Sequence, residues 1–289
     1  MRIDLEKIKA SKTTEELLNF GIINIDKSSG PTSFSVSEYV KKSLGLNKTS
    51  HFGTLDPQVS GVLPVGLSRA CRLSEYLMHR NKTYVGIMRI HKDIEKNELD
   101  KVIKKFIGKI SQLPPIKSRV KRAVREREIK SFDILEIEGK DILFETEVQA
   151  GTYIRKLCDD IGKEIGGAHM LELRRTKAGV FEEINCIKLP DFDKAVEEYK
   201  KGNDKTLRQM IIPGEIVAQL LPIVNIEKQV VKKVLTGSPI FPTFLKDKKE
   251  IKNINEEDKI CIFSEEIFIG CYKFIGKDTI IAKPEFVFN

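Results

Sequence analysis

The sequence predicts a mixed α+β protein that ends in a separate, β-rich module. Three observations lead there. Apolar residues alternate between helical spacing and short β-type runs over roughly the first 220 positions. Glu138-Gly-Lys sits between two β runs as a tight hairpin turn. After Pro222, short β runs follow one another closely with turn residues between them, the pattern of a small barrel-like module.

Each element has its own local reason. Residues 13–20 read as a short helix leading into an apolar strand over 21–26. Lys27-Ser-Ser-Gly-Pro-Thr-Ser33 is a turn-rich loop whose hydroxyls can cap a helix over 34–44. A polar loop over 46–61 precedes a strand at 62–65 and a helix at 68–78. A β-rich run covers 84–90, and a basic helix is expected over 98–110. Strands at 132–137 and 141–150 flank the hairpin turn. Ile154, Leu157, Cys158, Ile161 and Ile165 then fall on one face of a helix. A charged helical stretch over 191–210 closes this part, and domains are expected at 1–221 and 222–289. In the second, a strand at 223–226 and a short helix at 228–235 precede β runs at 259–263, 267–272, 279–282 and 285–288.

The 289 residues are 40% hydrophobic and 32% charged, the balance of a globular domain rather than a disordered chain. No uncharged apolar run approaches the roughly 20 residues that span a bilayer. The N-terminus is charged from Arg2 onward, so neither a membrane span nor a secretory signal is expected. Five cysteines (71, 158, 186, 261 and 271) are scattered, with no Cys-x-x-Cys and no Cys/His cluster. That pattern predicts reduced thiols in the cytoplasm, without a metal site. No nucleotide-cofactor motif occurs, and no cofactor is expected.

The net charge of +8 is concentrated. Residues 101–130 hold eleven Lys/Arg against Glu126 and Glu128, a local excess of +9. A concentrated basic stretch points to a polyanionic partner. A solvated helix accounts for Lys101 to Lys109, but not for Lys117, Arg119, Lys121, Arg122 and Arg125, which follow the helix-breaking Pro114-Pro115.

Three segments carry the candidate chemistry. His51-Phe-Gly-Thr-Leu-Asp-Pro-Gln-Val-Ser-Gly-Val-Leu-Pro64 places one acid, Asp56, among small residues and prolines, with no other acid or Lys/Arg before Arg69. Pro57 disfavours helix at Asp56, and the small neighbours let a ligand approach the backbone. An Asp in a turn ordinarily serves as an Asx turn or cap. Ala150-Gly-Thr-Tyr-Ile-Arg-Lys-Leu-Cys-Asp-Asp puts Tyr153 and Arg155 at a helix start, where Arg155 would ordinarily pair with Asp159 at i+4. Lys82-Thr-Tyr84 opens a strand, and Tyr84 alone reads as a core aromatic.

In this order, the Gly-Thr-Leu-Asp-Pro loop, the Lys-x-Tyr strand and the Gly-Thr-Tyr-Ile-Arg helix start resemble the TruB-type pseudouridine synthases. That family includes the bacterial tRNA enzymes and the dyskerin-type subunits of H/ACA ribonucleoproteins. Leu173-Arg-Arg-Thr-Lys-Ala-Gly-Val-Phe181 resembles the family's Leu-Arg-Arg segment, and the post-222 module resembles a PUA domain. The resemblance implies a mixed, mainly antiparallel sheet in an isomerase that converts uridine to pseudouridine in RNA. It makes Asp56 the catalytic carboxylate, paired with Arg155 through a bidentate fork. Tyr84 would stack on the target base, and His51, Tyr153 and Leu173 would line the pocket.

The Asp-Pro-Gln-Val sequence after Leu55 and the Gln112-Leu-Pro-Pro loop are similar to the archaeal and eukaryotic branch. That implies guide-RNA-directed modification of rRNA, with the tRNA TΨC loop (position 55) as a further substrate. The expected partners are tRNA, rRNA, H/ACA guide RNA and small H/ACA accessory proteins, with no membrane. A stand-alone tRNA synthase is the alternative, and a non-catalytic RNA-binding scaffold is a third reading. A scaffold would have no use for Asp56, Tyr84 and Arg155 together.

The basic loop generates a prediction of its own. Lys117, Arg119, Lys121 and Arg122 are expected to contact RNA phosphates, which hold a strand without reading its sequence. Each contact to single-stranded RNA adds about 0.7 to the slope of log affinity against log salt. Changing all four to Ser should flatten that slope by roughly 1 to 3 units, equally for unrelated RNAs. Binding isotherms at several salt concentrations check this.

Overall fold

The computed structural model describes residues 3–114, 123–277 and 279–289, so Lys117, Arg119, Lys121 and Arg122 lie outside the described residues. Two compact units divide the chain. One contains Ile23–Val65 and Ser74–Met210, the other Met1–Ile22, Gly66–Leu73 and Ile211–Asn289.

The first unit is built on a large sheet. Its strands are β1 (Gly21–Lys27), β2 (Thr49–His51), β3 (Ser60–Leu67), β4 (Lys82–Ile90), β5 (Gly108–Gln112), β6 (Arg125–Glu138), β7 (Asp141–Val148), β8 (Ala168–Ala178), β9 (Phe181–Glu182) and β10 (Ile187–Lys188). Eight run in the order β10-β1-β3-β8-β4-β7-β6-β5, with β2 beside β3 and β9 beside β8. Pairings β1–β10 and β3–β8 are parallel. From β8 through β4, β7 and β6 to β5 every pairing is antiparallel. The fold is thus α+β on a mixed, mainly antiparallel sheet.

Along β4, Lys82, Tyr84, Gly86, Met88 and Ile90 are buried, while Arg89 faces solvent. This is the period of two that separates the faces of a strand. The helix Ile154–Glu164 buries Ile154, Leu157, Cys158 and Ile161, as its apolar spacing dictates. The sheet is tightest where two glycines stand. A Cβ on Gly61 would lie 2.2 Å from the Arg175 carbonyl oxygen, so only glycine lets β3 approach β8 there. A Cβ on Gly86 would lie 2.8 Å from both Leu173 Cδ1 and Phe144 Cζ, and 2.9 Å from the Glu172 carbonyl oxygen.

Several elements differ from expectation. The strand β8 was not foreseen, because Ala168-His-Met-Leu-Glu-Leu-Arg-Arg is rich in good helix formers and Arg175 occupies a buried position. Packing between β3 and β4 overrides that propensity. The basic helix stops at Lys104, and Gly108–Gln112 forms the edge strand instead. Residues 68–73 form a 3₁₀ turn followed by a four-residue helix, with Ser68 at φ 43°. The charged stretch splits into Leu189–Lys200 and Lys205–Met210 around Lys201-Gly202-Asn203.

In the second unit, strands Ile223–Asn225, Lys259–Ser264, Ile267–Phe274 and Ala282–Val287 form a sheet in that order. The two β runs expected near 279–288 are the single last strand. Val224, Val234, Ile240, Ile260, Ile262, Ile269 and Tyr272 fill its core. The N-terminal segment belongs to the same unit. The Phe20 ring stacks on Phe288 at 4.2 Å and on Phe268 at 5.4 Å between centroids, and Lys12 pairs with Glu215 at 2.5 Å. A single cut after residue 221 would therefore take from Phe20 its aromatic neighbours. Among the described residues no helix is long and apolar enough to cross a membrane.

Gly86→Ala should destabilise the protein by about 1 to 3 kcal/mol, the usual cost of overpacking a filled site. The Glu172 carbonyl cannot swing aside as a side-chain tip can. Urea unfolding of the variant against the parent measures the loss.

Candidate active site

Residues 52–59 link β2 to β3 and carry Asp56 at their tip. Strand-type backbone pairing reaches Phe52, whose N–H bonds the Pro64 carbonyl at 2.9 Å, and most of the carbonyls beyond it are held by side chains from elsewhere. Arg175 donates from one terminal nitrogen to the Gly53 carbonyl at 3.0 Å and from Nε to the Val62 carbonyl at 2.8 Å. Ser33 Oγ accepts from the Leu55 N–H at 2.8 Å and donates to the Leu55 carbonyl at 3.0 Å. Lys27 Nζ donates to the carbonyls of Pro57 at 3.0 Å and Val59 at 2.7 Å, and the Gly30 N–H reaches Pro57 at 2.9 Å. Arg175, Lys27 and Ser33 are all buried to within 1% of complete. Asp56 itself stays exposed while the carbonyls of both its neighbours are bound.

Across from it, the helix Ile154–Glu164 presents Arg155 on its first turn. One guanidinium nitrogen donates to Asp56 Oδ2 at 2.8 Å, joining positions 99 apart in sequence. The contact is a single hydrogen bond, not a bidentate fork. Both side chains are about half exposed, at 47% and 55%. Exposed pairs contribute only about 0–1 kcal/mol to stability, so fold stability does not account for bringing these two together.

The other sequence candidates surround this pair. Tyr84 is buried on the β4 face that also carries Lys82, whose Cε would lie 3.7 Å from a Cβ on Gly53. Tyr84 stands opposite Arg175 in the ladder, and Leu173 packs toward Gly86 on the same face. His51 ends β2, with Nε2 3.1 Å from Thr54 Oγ1. Tyr153 is the N-cap of the Arg155 helix. The Leu-Arg-Arg segment divides its arginines between faces. Arg174 binds Asp26 through two hydrogen bonds of 3.0 and 3.1 Å and also pairs with Glu183, while Arg175 turns inward to the loop. Sequence reading gave no site role to Lys27, read Ser33 only as one of several helix-capping hydroxyls, and named Arg175 only as part of the Leu-Arg-Arg segment. A lysine ending an apolar strand was the one available signal.

Comparison with known proteins matches residues 41–154 to the TruB family pseudouridylate synthase N-terminal domain and 155–219 to the tRNA pseudouridylate synthase B C-terminal domain. The "Probable tRNA pseudouridine synthase B" of Methanopyrus kandleri is 42% identical over 93% of this chain and 80% of its own length. The chain belongs to the TruB family of pseudouridine synthases. The relative of the same name from Thermococcus kodakarensis is 45% identical over 81% of this chain and 71% of its own length. Among solved structures, a chain of a Cbf5-Nop10-Gar1 complex superposes with a TM-score of 0.89 at 38% identity, covering 97% of this chain and 88% of that one. A chain of an H/ACA RNP bound to a substrate RNA containing 2'-deoxyuridine gives 0.86 at 36%, covering 97% and 89%. The protein is thus a TruB-type pseudouridine synthase, an RNA isomerase.

In this synthase the groups beneath the Asp56 loop include the basic side chains of Lys27, Lys82 and Arg175. Burial lowers the pKa of Lys27; the Arg175 charge adds to that and the Asp56 carboxylate opposes it. Burial, then Arg175, also lowers that of His51. Lys82 is brought down from 10.5 to about 8 by burial and then by Arg175, although its ammonium donates to the Met78 and Arg80 carbonyls.

The Lys82 shift has a direct consequence for stability. Between about pH 8 and 10.5 the unfolded chain keeps a proton on Lys82 that the folded protein releases, so folding becomes more favourable as pH rises. Lys82→Met removes this contribution. Relative to the variant, the parent should gain up to about 3 kcal/mol over that window. Denaturant unfolding of both proteins at stepped pH measures the difference.

Proposed function

We propose that Asp56 is the carboxylate that starts the isomerisation and that Arg155 orients it. The observation that carries this reading is their ion pair at 2.8 Å, drawn from two distant segments and placed at the surface. The bond occupies Oδ2, which leaves Oδ1 to act on the nucleotide. A uridine in a folded RNA is reached by extrusion from its stack. Tyr84 then stacks on the base, recovering about 1–3 kcal/mol of the unstacking cost. His51, Tyr153 and Leu173 wall the pocket.

The reaction breaks the bond from uracil N1 to C1′ and forms one from C5 to C1′. A proton leaves C5 and N1 gains one, so the isomerisation is balanced without an oxidant or reductant. Asp56 begins it as nucleophile or as base. The loop clamps fix the carboxylate before RNA arrives, and the bound base displaces water from the half-exposed pair.

The substrate we infer is rRNA selected by an H/ACA guide RNA, with the tRNA TΨC loop as a further substrate and small accessory proteins such as Nop10 and Gar1 as partners. The likeness over 97% of the chain to members of such particles supports this. The names of the sequence relatives support the tRNA substrate. Residues 1–221 carry the chemistry, and the four-stranded sheet after residue 222 serves as a PUA-type RNA-binding module. Five free cysteines, four of them buried, fit a cytoplasmic setting.

Asp56→Asn should abolish pseudouridine formation while RNA binding stays within a few-fold. Arg155→Ala should slow it by roughly 100-fold, the scale on which a misplaced reacting group is penalised. Quantifying pseudouridine after incubation with tRNA alone, and with rRNA, guide RNA and accessory proteins, tests both the residues and the substrate. Substantial product from Asp56→Asn would remove Asp56 from the chemistry. Full activity on tRNA alone and none with guide RNA would favour the stand-alone enzyme.

A further inference from the structure

We propose that Gln112 is a positioning residue for the reaction, acting through the backbone of Tyr153 on Arg155. This rests on the reading that the Asp56–Arg155 pair reacts.

Gln112 ends the edge strand β5 and is 2% exposed. Its amide pairs with the main chain of Tyr153 at both available points. The Tyr153 N–H donates to Oε1 at 3.0 Å, and Nε2 donates to the Tyr153 carbonyl at 3.2 Å. A primary amide offers a donor and an acceptor with the spacing of a peptide group, so the side chain extends the β5 edge by one more pairing.

The place of that pairing matters. Tyr153 is the N-cap of the helix that carries Arg155, and its own side chain makes no capping hydrogen bond. The Tyr153 carbonyl also accepts the Leu157 N–H at 3.0 Å, so it belongs both to the first helical turn and to the Gln112 pair. Upstream, the turn is tied to β6. The Gln149 N–H reaches the Glu128 carbonyl at 2.8 Å, and the Glu128 N–H reaches Gln149 Oε1 at 3.2 Å. Gln112 supplies a further tie at Tyr153, two residues before Arg155.

Arg155 reaches Asp56 on a long stem with about half its side chain in solvent, so packing around the guanidinium does not confine it. Its aim depends on where the first helical turn begins. Two parallel hydrogen bonds fix Tyr153 against both sliding and rotation. Losing them lets the helix start drift and the guanidinium leave Oδ2.

The test compares Gln112→Asn and Gln112→Glu with the parent and with Arg155→Ala, in single turnover at saturating RNA. Melting temperature and RNA affinity are measured alongside. Gln112→Asn keeps an amide but retracts it by one methylene. Its turnover rate should fall roughly 10-fold while RNA affinity stays within about two-fold. Gln112→Glu should show the same loss at neutral pH, because a carboxylate cannot donate to the Tyr153 carbonyl. It should recover toward the parent rate as pH falls toward about 5.5, where a buried carboxyl regains its proton and its donor. Parent-like rates with a lowered melting temperature would reduce Gln112 to a packing role and overturn the proposal. Arg155→Ala separates the two levels. If it is slow while the folded Gln112 variants run at the parent rate, only the positioning role fails. If Arg155→Ala itself is fully active, the reading of the reacting pair fails and the proposal with it.

Discussion

A carboxylate can be aimed only if the backbone that carries it is fixed, and the loop around Asp56 has no strand ladder to fix it. The carbonyls at positions 53, 55, 57 and 59 are instead bound by Arg175, Ser33 and Lys27. These donors come from β8, the start of a helix and the end of β1, so the loop conformation summarises the assembly of the whole sheet. An unmade hydrogen bond at any of these buried carbonyls costs about 1–3 kcal/mol. The close approach of β3 to β8 at Gly61 is part of the same arrangement, since it brings Arg175 within reach of the Val62 carbonyl.

Two of those donors are buried cations bonded to carbonyls rather than carboxylates, and Lys82 adds a third. Burying charge this way is expensive, as the lowered pKa values of Lys27 and Lys82 express. The arrangement leaves Asp56 free of competing acids while surrounding it with positive potential from below. A carboxylate partner for Arg175 would satisfy that guanidinium better and would cancel the field. The acids bound by the neighbouring Arg174, Asp26 and Glu183, lie with it on the opposite side of β8.

How much of this was legible in the sequence depended on the range of the interaction. The 138–140 hairpin turn and the apolar face of the 154–164 helix were legible because short-range periodicity determines them. The spacing of Arg155 suggested Asp159, one helical turn away, and only the family resemblance pointed to Asp56. The strand β8 was illegible for a physical reason: Arg175 stands where alternation demands an apolar side chain. Its partners, Gly53 and Val62, lie more than a hundred residues earlier. Gln112 appeared only as the first letter of a basic loop, because a side chain that imitates a peptide group has no sequence signature.

The stacking of Phe20 on Phe288 joins two segments far apart in the sequence. Chains are made from the N-terminus at about 5–20 residues per second. The residues up to Met210 are therefore made before the four strands of the second sheet. Phe20, made early in synthesis, must wait for Phe268, Phe286 and Phe288 before its ring is covered by them. A chain that stops before Phe268 leaves the Phe20 ring without these three neighbours.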